Sequence, residues 1–182
     1  MKVLILTGSP RPQGATSFLA DKFSAGAEEA GHEIVRFETA KMDIHPCIGC
    51  LYCRDHDGIC VYDDDMSEIY PHLLNADALV LVTPLYYFNI SAQLKCAVDR
   101  FFAVNPVLRE MPKILYIISA GHDTDAWAMD TLKANFQALC HYLHWQEGGM
   151  VLAFGTNIGT NNRKEAENSE YQAMAWKLGR SL

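Results

Sequence analysis

The chain has 182 residues, 49% of them apolar, and a net charge of −7 from 22 acidic and 15 basic side chains. That length suits one compact domain burying roughly two thirds of its unfolded surface, and the composition excludes disordered and fibrous classes. No basic block supplies the cationic stripe that nucleic-acid backbones require. No apolar run reaches the ~20 residues of a membrane span. The apolar start is too short for a secretion signal, so a cytoplasmic protein is expected. Six cysteines in such a chain point away from structural disulfides and toward metal or redox chemistry.

In chain order, "KVLILTG" from Lys2 to Gly8 reads as a strand buried on both faces. Phe18, Leu19, Phe23 and Ala27 then recur at helical spacing until Gly31. "HEIVRFET" is a second strand, "MSEIYPHLLNAD" a helix bent or interrupted at Pro71, and "ALVLVTP" from Ala78 to Pro84 a third strand. Ser91 is placed to cap a helix to about Phe102, with a fourth strand from Lys113 to Ser119 and a helix from Asp125 to His144. A fifth strand is expected near Gly149 to Phe154 and a closing helix between Arg163 and Leu182. Alternation of strand and helix predicts a parallel sheet covered on both faces. The long irregular stretch from Ala40 to Asp65 stands apart, and such loops are usually functional or disordered.

In open α/β sheets the ligand lies beyond the carboxyl ends of the strands, so the loops after strands one, three and four should share one site. The first, "GSPRPQGATS", offers Ser9, Thr16 and Ser17 hydroxyls, the Arg11 charge, close backbone approach at Gly14 and the start of a helix. Ala15 and Thr16 follow Gly14 where a nucleotide-triphosphate loop needs Lys and Ser or Thr, so a terminal monophosphate such as that of FMN suits it better. A helix-capping turn without ligand is the plainer alternative.

The second loop carries Pro84, Leu85, Tyr86, Tyr87, Phe88 and Asn89, an apolar and aromatic wall suited to a planar ring or, more plainly, to packing the sheet end. The third has Ser119, Ala120, Gly121 and His122, small residues that let backbone approach a ring edge. His122 could stabilise negative charge there or be a solvated surface residue. Cys47, Cys50, Cys53 and Cys60 form C-x2-C-x2-C-x6-C within fourteen residues. That run suits a [4Fe–4S] cluster, with zinc and a redox-labile pair such as Cys47 with Cys50 as alternatives. His141 and His144 read as structural, Cys96 and Cys140 as small core residues, and Asp99 with Arg100 as a local ion-pair feature.

"GSPRPQGATS" resembles the G-S-P-R-x-x-G-N-T-S loop of the NADPH-dependent FMN reductase and iron-sulfur flavoprotein group, with Ala15 where Asn is usual. The resemblance continues through "CIGCLYC", "YDDDM", "TPLYYFNISAQLKCAVDR" and "SAGH", over the first two thirds of the chain. It implies a three-layer flavodoxin-like α/β fold over residues 1–182, with five parallel strands in the order 2-1-3-4-5. It also implies FMN across strands one, three and four, with main-chain contacts from Tyr87, Phe88 and Asn89, and Cys47, Cys50, Cys53 and Cys60 as iron ligands. The implied activity is NAD(P)H oxidation through FMN to an acceptor such as a quinone, a flavin or an iron-sulfur protein. The rival is an electron carrier between ferredoxin-like partners, and a homodimer or homotetramer is expected. A receiver-like signalling domain shares the fold, but Asp63, Asp64 and Asp65 follow the cysteine loop rather than strand one.

Overall fold

A computed structural model describes residues 1–156, 162–167 and 169–182. Strand β1 (Lys2–Thr7) shows why a doubly covered sheet forms. Its side chains alternate between two apolar layers, Val3 and Ile5 toward one and Leu4 and Leu6 toward the other. Both sets must be covered, so helices lie on each face.

The chain continues through α1 (Ala15–Glu29), β2 (Glu33–Glu38), α2 (Tyr52–Asp55), α3 (Met66–Asn75), β3 (Ala78–Pro84) and α4 (Ala92–Arg100). It then forms α5 (Asn105–Glu110), β4 (Ile114–Ala120), α6 (Asp130–Leu143), β5 (Gln146–Ala153), α7 (Asn162–Glu167) and α8 (Tyr171–Arg180). The five strands pair in parallel in the order β2-β1-β3-β4-β5, the flavodoxin-like arrangement.

One face is covered by α1 and α8, with Phe18, Leu19, Phe23 and Ala175 against Val80, Val82 and Ile118. These helices approach closely because each presents glycine. A Cβ on Gly26 would lie 2.1 Å from Trp176 O, and one on Gly179 2.0 Å from Phe23 O. The other face carries Ile69 and Leu73 of α3, Leu94 and Ala97 of α4 and Phe136 of α6. Each large apolar side chain so buried contributes roughly 1.5–3 kcal/mol.

Several boundaries differ from the sequence expectation. The stretch from Ala40 to Asp65 holds the short α2, and α3 runs through Pro71 without interruption. Ala126–Met129 is a 3-10 turn ahead of α6. β5 starts at Gln146 because a bulge, with Gly149 at φ 140°, resets its pairing to β4 between Leu115 and Tyr116. The closing helix is two helices, and position 168 between them lies outside the described residues. Among the described residues no helix is long and apolar enough to cross a membrane.

Candidate functional site

At the carboxyl end of the sheet, the loops after β1, β3 and β4 enclose an open cleft of about 240 Å³. Its walls carry Ser9, Arg11, Gly14, Ala15 and Thr16 from the first loop, Pro84, Leu85 and Tyr86 from the second, and Ala120, Gly121 and His122 from the third. These eleven of the sixteen residues proposed from sequence meet there. The other five do not face it. Ser17 is buried and its Oγ accepts from Arg36 Nη2 at 2.9 Å. Ser119 is buried inside β4. Tyr87, Phe88 and Asn89 form the tip of the second loop, outside the lining of the cleft. Thr156, which also lines the cleft and donates Oγ1–H to Gly121 O at 3.0 Å, had no motif to announce it.

The first loop is built by short local contacts. Ser9 Oγ accepts from the Arg11 amide at 3.2 Å, and the Gly14 amide closes on Arg11 O at 3.1 Å. Gly14 caps α1 without a side chain, so among the described residues the first-turn amides of Ala15, Thr16 and Ser17 have no capping acceptor. The same first turn is buried, with Thr16 at 3% exposure and no acidic residue beside it. Buried free amides at the positive end of a 15-residue helix form an anion cradle. The Arg11 side chain is exposed at its rim.

Small residues bring the other loops in. A Cβ on Gly121 would sit 3.0 Å from Leu85 Cδ2, and one on Gly8 would sit 2.5 Å from Ser91 Oγ. Ser91 fulfils its expected capping role: its Oγ accepts from the Leu94 amide at 3.4 Å and donates to Gly8 O at 2.6 Å. In the second loop the Tyr86 amide donates to Asn89 O at 3.0 Å and the Asn89 amide to Tyr86 O at 3.1 Å. The two central residues have φ of 44° at Tyr87 and 64° at Phe88, a left-handed pair that normally calls for Asn and Gly. Tyr87 is therefore held out at 98% exposure, while the Phe88 ring packs on Trp127 at 5.1 Å.

A second cavity lies at the far end of α4. All four clustered cysteines line it with Arg100, and all four thiols are free. Burial pushes the Cys53 thiol up, and crowding by Cys60, Cys50 and Cys47 adds to this. Among the described residues no three His, Cys, Asp or Glu side chains are gathered as a single-ion site. Cys140 is a core thiol as expected, pushed up to about 11 by burial, whereas Cys96 is only half-buried.

The loop is clasped by a group that sequence reasoning missed. Asp99 pairs with Lys95 at 2.5 Å, while Arg100, 1% exposed, pairs with Asp64, 2% exposed, through Nη1 at 2.6 Å and Nη2 at 3.0 Å. The expected Asp99–Arg100 feature is thus two separate ion pairs. Neighbours in a helix point to different sides, and only Arg100 faces inward. Burial alone would raise the Asp64 carboxyl, but hydrogen bonds from Arg100 and from the His45 and Met66 amides hold it below its ordinary value.

A family model described as NADPH-dependent FMN reductase matches residues 1–157. The chain belongs to that family. A curated relative of this NADPH-dependent FMN reductase family member is an iron-sulfur flavoprotein of Methanocaldococcus jannaschii, 39% identical over 100 residues, or 55% of this chain and 51% of that protein. An iron-sulfur flavoprotein of Methanosarcina thermophila is 37% identical over 55% of this chain and 52% of its own length. The match thus spans about half the length of these curated relatives. Among solved structures, an azoreductase from Bacillus anthracis str. Sterne superposes with a TM-score of 0.74 at 16% identity over 100% of both chains, a likeness of fold.

Proposed function

We propose that residues 1–182 act as a single domain that binds FMN in the cleft and serves as an NAD(P)H-dependent oxidoreductase. The observation that carries this reading is the uncapped start of α1, where buried amides and Arg11 wait for a monoanion or dianion of phosphate size. Ala15, Thr16 and Ser17 would donate their amides to that phosphate. The backbone of the second and third loops would lie along the ring, with His122 at its edge. Bound FMN supplies hydride acceptance from reduced nicotinamide and delivery of electrons to an acceptor such as a quinone, a flavin or an iron-sulfur protein. The protein's own part is to fix position and exclude water on one side. Heat release of the cofactor and chromatography test it: FMN is expected, and FAD, or no flavin after reconstitution, overturns it.

A second reading rests on the four cysteines that share one cavity. Cys47, Cys50, Cys53 and Cys60 would hold a [4Fe–4S] cluster, whose separate iron corners accept thiolates not gathered around one ion. Helix α4 has nine residues and is about 14 Å long. It joins the phosphate loop at Ser91 to the cysteine cavity at Arg100. In this reading the protein is a carrier that exchanges electrons with ferredoxin-like partners, working as a homodimer or homotetramer in the cytoplasm. Anaerobic purification with iron, sulfide and zinc analysis distinguishes cluster, zinc and bare thiols.

A further inference from the structure

Among the described residues Arg100 is the largest fully buried side chain, and one of its nitrogens makes no hydrogen bond. Its Nη1 donates to His45 O at 2.9 Å and to Asp64 Oδ2 at 2.6 Å, and its Nη2 to Asp64 Oδ1 at 3.0 Å. The Tyr62 ring stacks 5.3 Å from Cζ. Its Nε, fully shielded from solvent, has no partner among the described residues. A buried unpaired donor costs roughly as much as a lost hydrogen bond, so its retention calls for an acceptor. Arg100 is one of the residues that line the cavity shared by Cys47, Cys50, Cys53 and Cys60.

Asp64 balances the charge of Arg100, and both are sealed from water. The pair is therefore neutral as a unit but strongly dipolar, and with little solvent to screen it, its field acts at short range. Hydrogen bonds and charges beside sulfur ligands are among the levers that set the potential of iron-sulfur groups.

We propose that Arg100 is a positioning residue that directs its unpaired Nε–H and its positive charge at the sulfur-ligated group held by the four cysteines, and that Asp64 limits the size of this effect. The proposal rests on the reading of Cys47, Cys50, Cys53 and Cys60 as cluster ligands. A positive charge favours the electron-rich state, so Arg100 raises the midpoint potential and Asp64 lowers it.

The test is a potentiometric titration of the anaerobic holoprotein, followed by electron paramagnetic resonance, in Arg100→Gln, Asp64→Asn and the double variant. The expected midpoint moves down in Arg100→Gln and up in Asp64→Asn. The double variant, which leaves no unpaired charge buried, lies between them and covers the case in which a single variant does not fold. A merely structural role predicts no such opposition. Midpoints that stay at the wild-type value, or shift in the same direction in all variants, overturn the proposal. So does loss of iron from all three with flavin content intact, which would make the pair a clasp alone. Absence of iron and acid-labile sulfide from the unmodified protein instead removes the cluster reading beneath it, leaving the FMN cleft untouched.

Discussion

The phosphate loop and the cysteine loop are both irregular, yet different forces hold them. The first is fixed by its neighbours in sequence, with contacts spanning two or three residues at Ser9, Arg11 and Gly14 and a strand and a helix immediately on either side. The second is closed by contacts that span much of the chain, from Arg100 back to His45 and Asp64. Its own backbone supplies only a few turns, with Gly49, Leu51, Asp57 and Gly58 all at positive φ. An anion cradle needs amides already aimed at one point, which a helix start provides without side chains. A group that takes several thiolates needs side chains converging from a longer segment. One buried ion pair then does what secondary structure cannot.

The sharpest way to break that contrast is to remove the clasp. Asp64→Ala strands a buried guanidinium, and such a change costs about 3–5 kcal/mol. Denaturant unfolding should show that loss, with hydrogen exchange rising first in the cysteine loop. The pH dependence follows from the lowered Asp64 value. A depressed carboxyl stabilises fully above its unfolded value of about 3.9, and this stabilisation fades as the pH falls through the folded value. The gap between wild type and Asp64→Ala should therefore narrow below about pH 4. A gap that stays constant down to pH 2 would show that the pair contributes nothing through ionisation.

Removing a thiol separates the two loops chemically. Cys53→Ser should abolish most bound iron and acid-labile sulfide while flavin content stays near the wild-type level, because no cysteine lines the flavin cleft. A reductase that works from flavin directly keeps NAD(P)H oxidation with a quinone, whereas a carrier loses exchange with ferredoxin. Joint loss of flavin and iron would mean that the two sites fold as one unit.

The phosphate loop answers to a smaller change. Arg11→Ala should weaken FMN binding by about 1–3 kcal/mol, the range for an unmade hydrogen bond to a charged group, discounted because the side chain is exposed. Ser9→Ala should act in the same direction but less, since Ser9 supports the loop by one bond to the Arg11 amide. Titration of apoprotein with FMN measures both. Unchanged affinity would leave the phosphate to the backbone amides alone.

Legibility in the sequence follows the same division. The strands, both apolar layers and the Ser91 cap were readable because short continuous apolar runs and capping residues are local signals, whereas the strand order came with the family resemblance. The turn from Ser9 to Gly14 and the start of α1 were readable for the same reason. Arg100–Asp64 was not, because its partners are 36 residues apart and no spacing rule joins an arginine at a helix end to one carboxylate of three. Thr156 was missed likewise, being a lone hydroxyl delivered after β5 by the fold. The aromatic loop was legible in composition, but the left-handed turn at Tyr87 and Phe88 was not, since neither residue type signals positive φ.

That turn offers the smallest and most discriminating effect. Tyr87 holds a left-handed φ of 44° with its ring 98% exposed, so its side chain loses conformational ease and gains almost no packing. Left-handed backbone costs a β-carbon residue roughly 1–2 kcal/mol, and Asn pays less because its short side chain can bond locally. Tyr87→Asn should therefore raise stability by about 0.5–1 kcal/mol, read as a higher denaturant midpoint at unchanged slope. Phe88→Gly relieves the same kind of strain but removes the ring packed on Trp127, worth about 0.5–1.5 kcal/mol, and should be close to neutral. If Tyr87 serves an acceptor, a partner or a second copy of the chain, Tyr87→Asn will stabilise the fold while slowing acceptor turnover or weakening self-association. A lower midpoint in Tyr87→Asn would show that the exposed ring makes contacts in solution that outweigh its backbone strain.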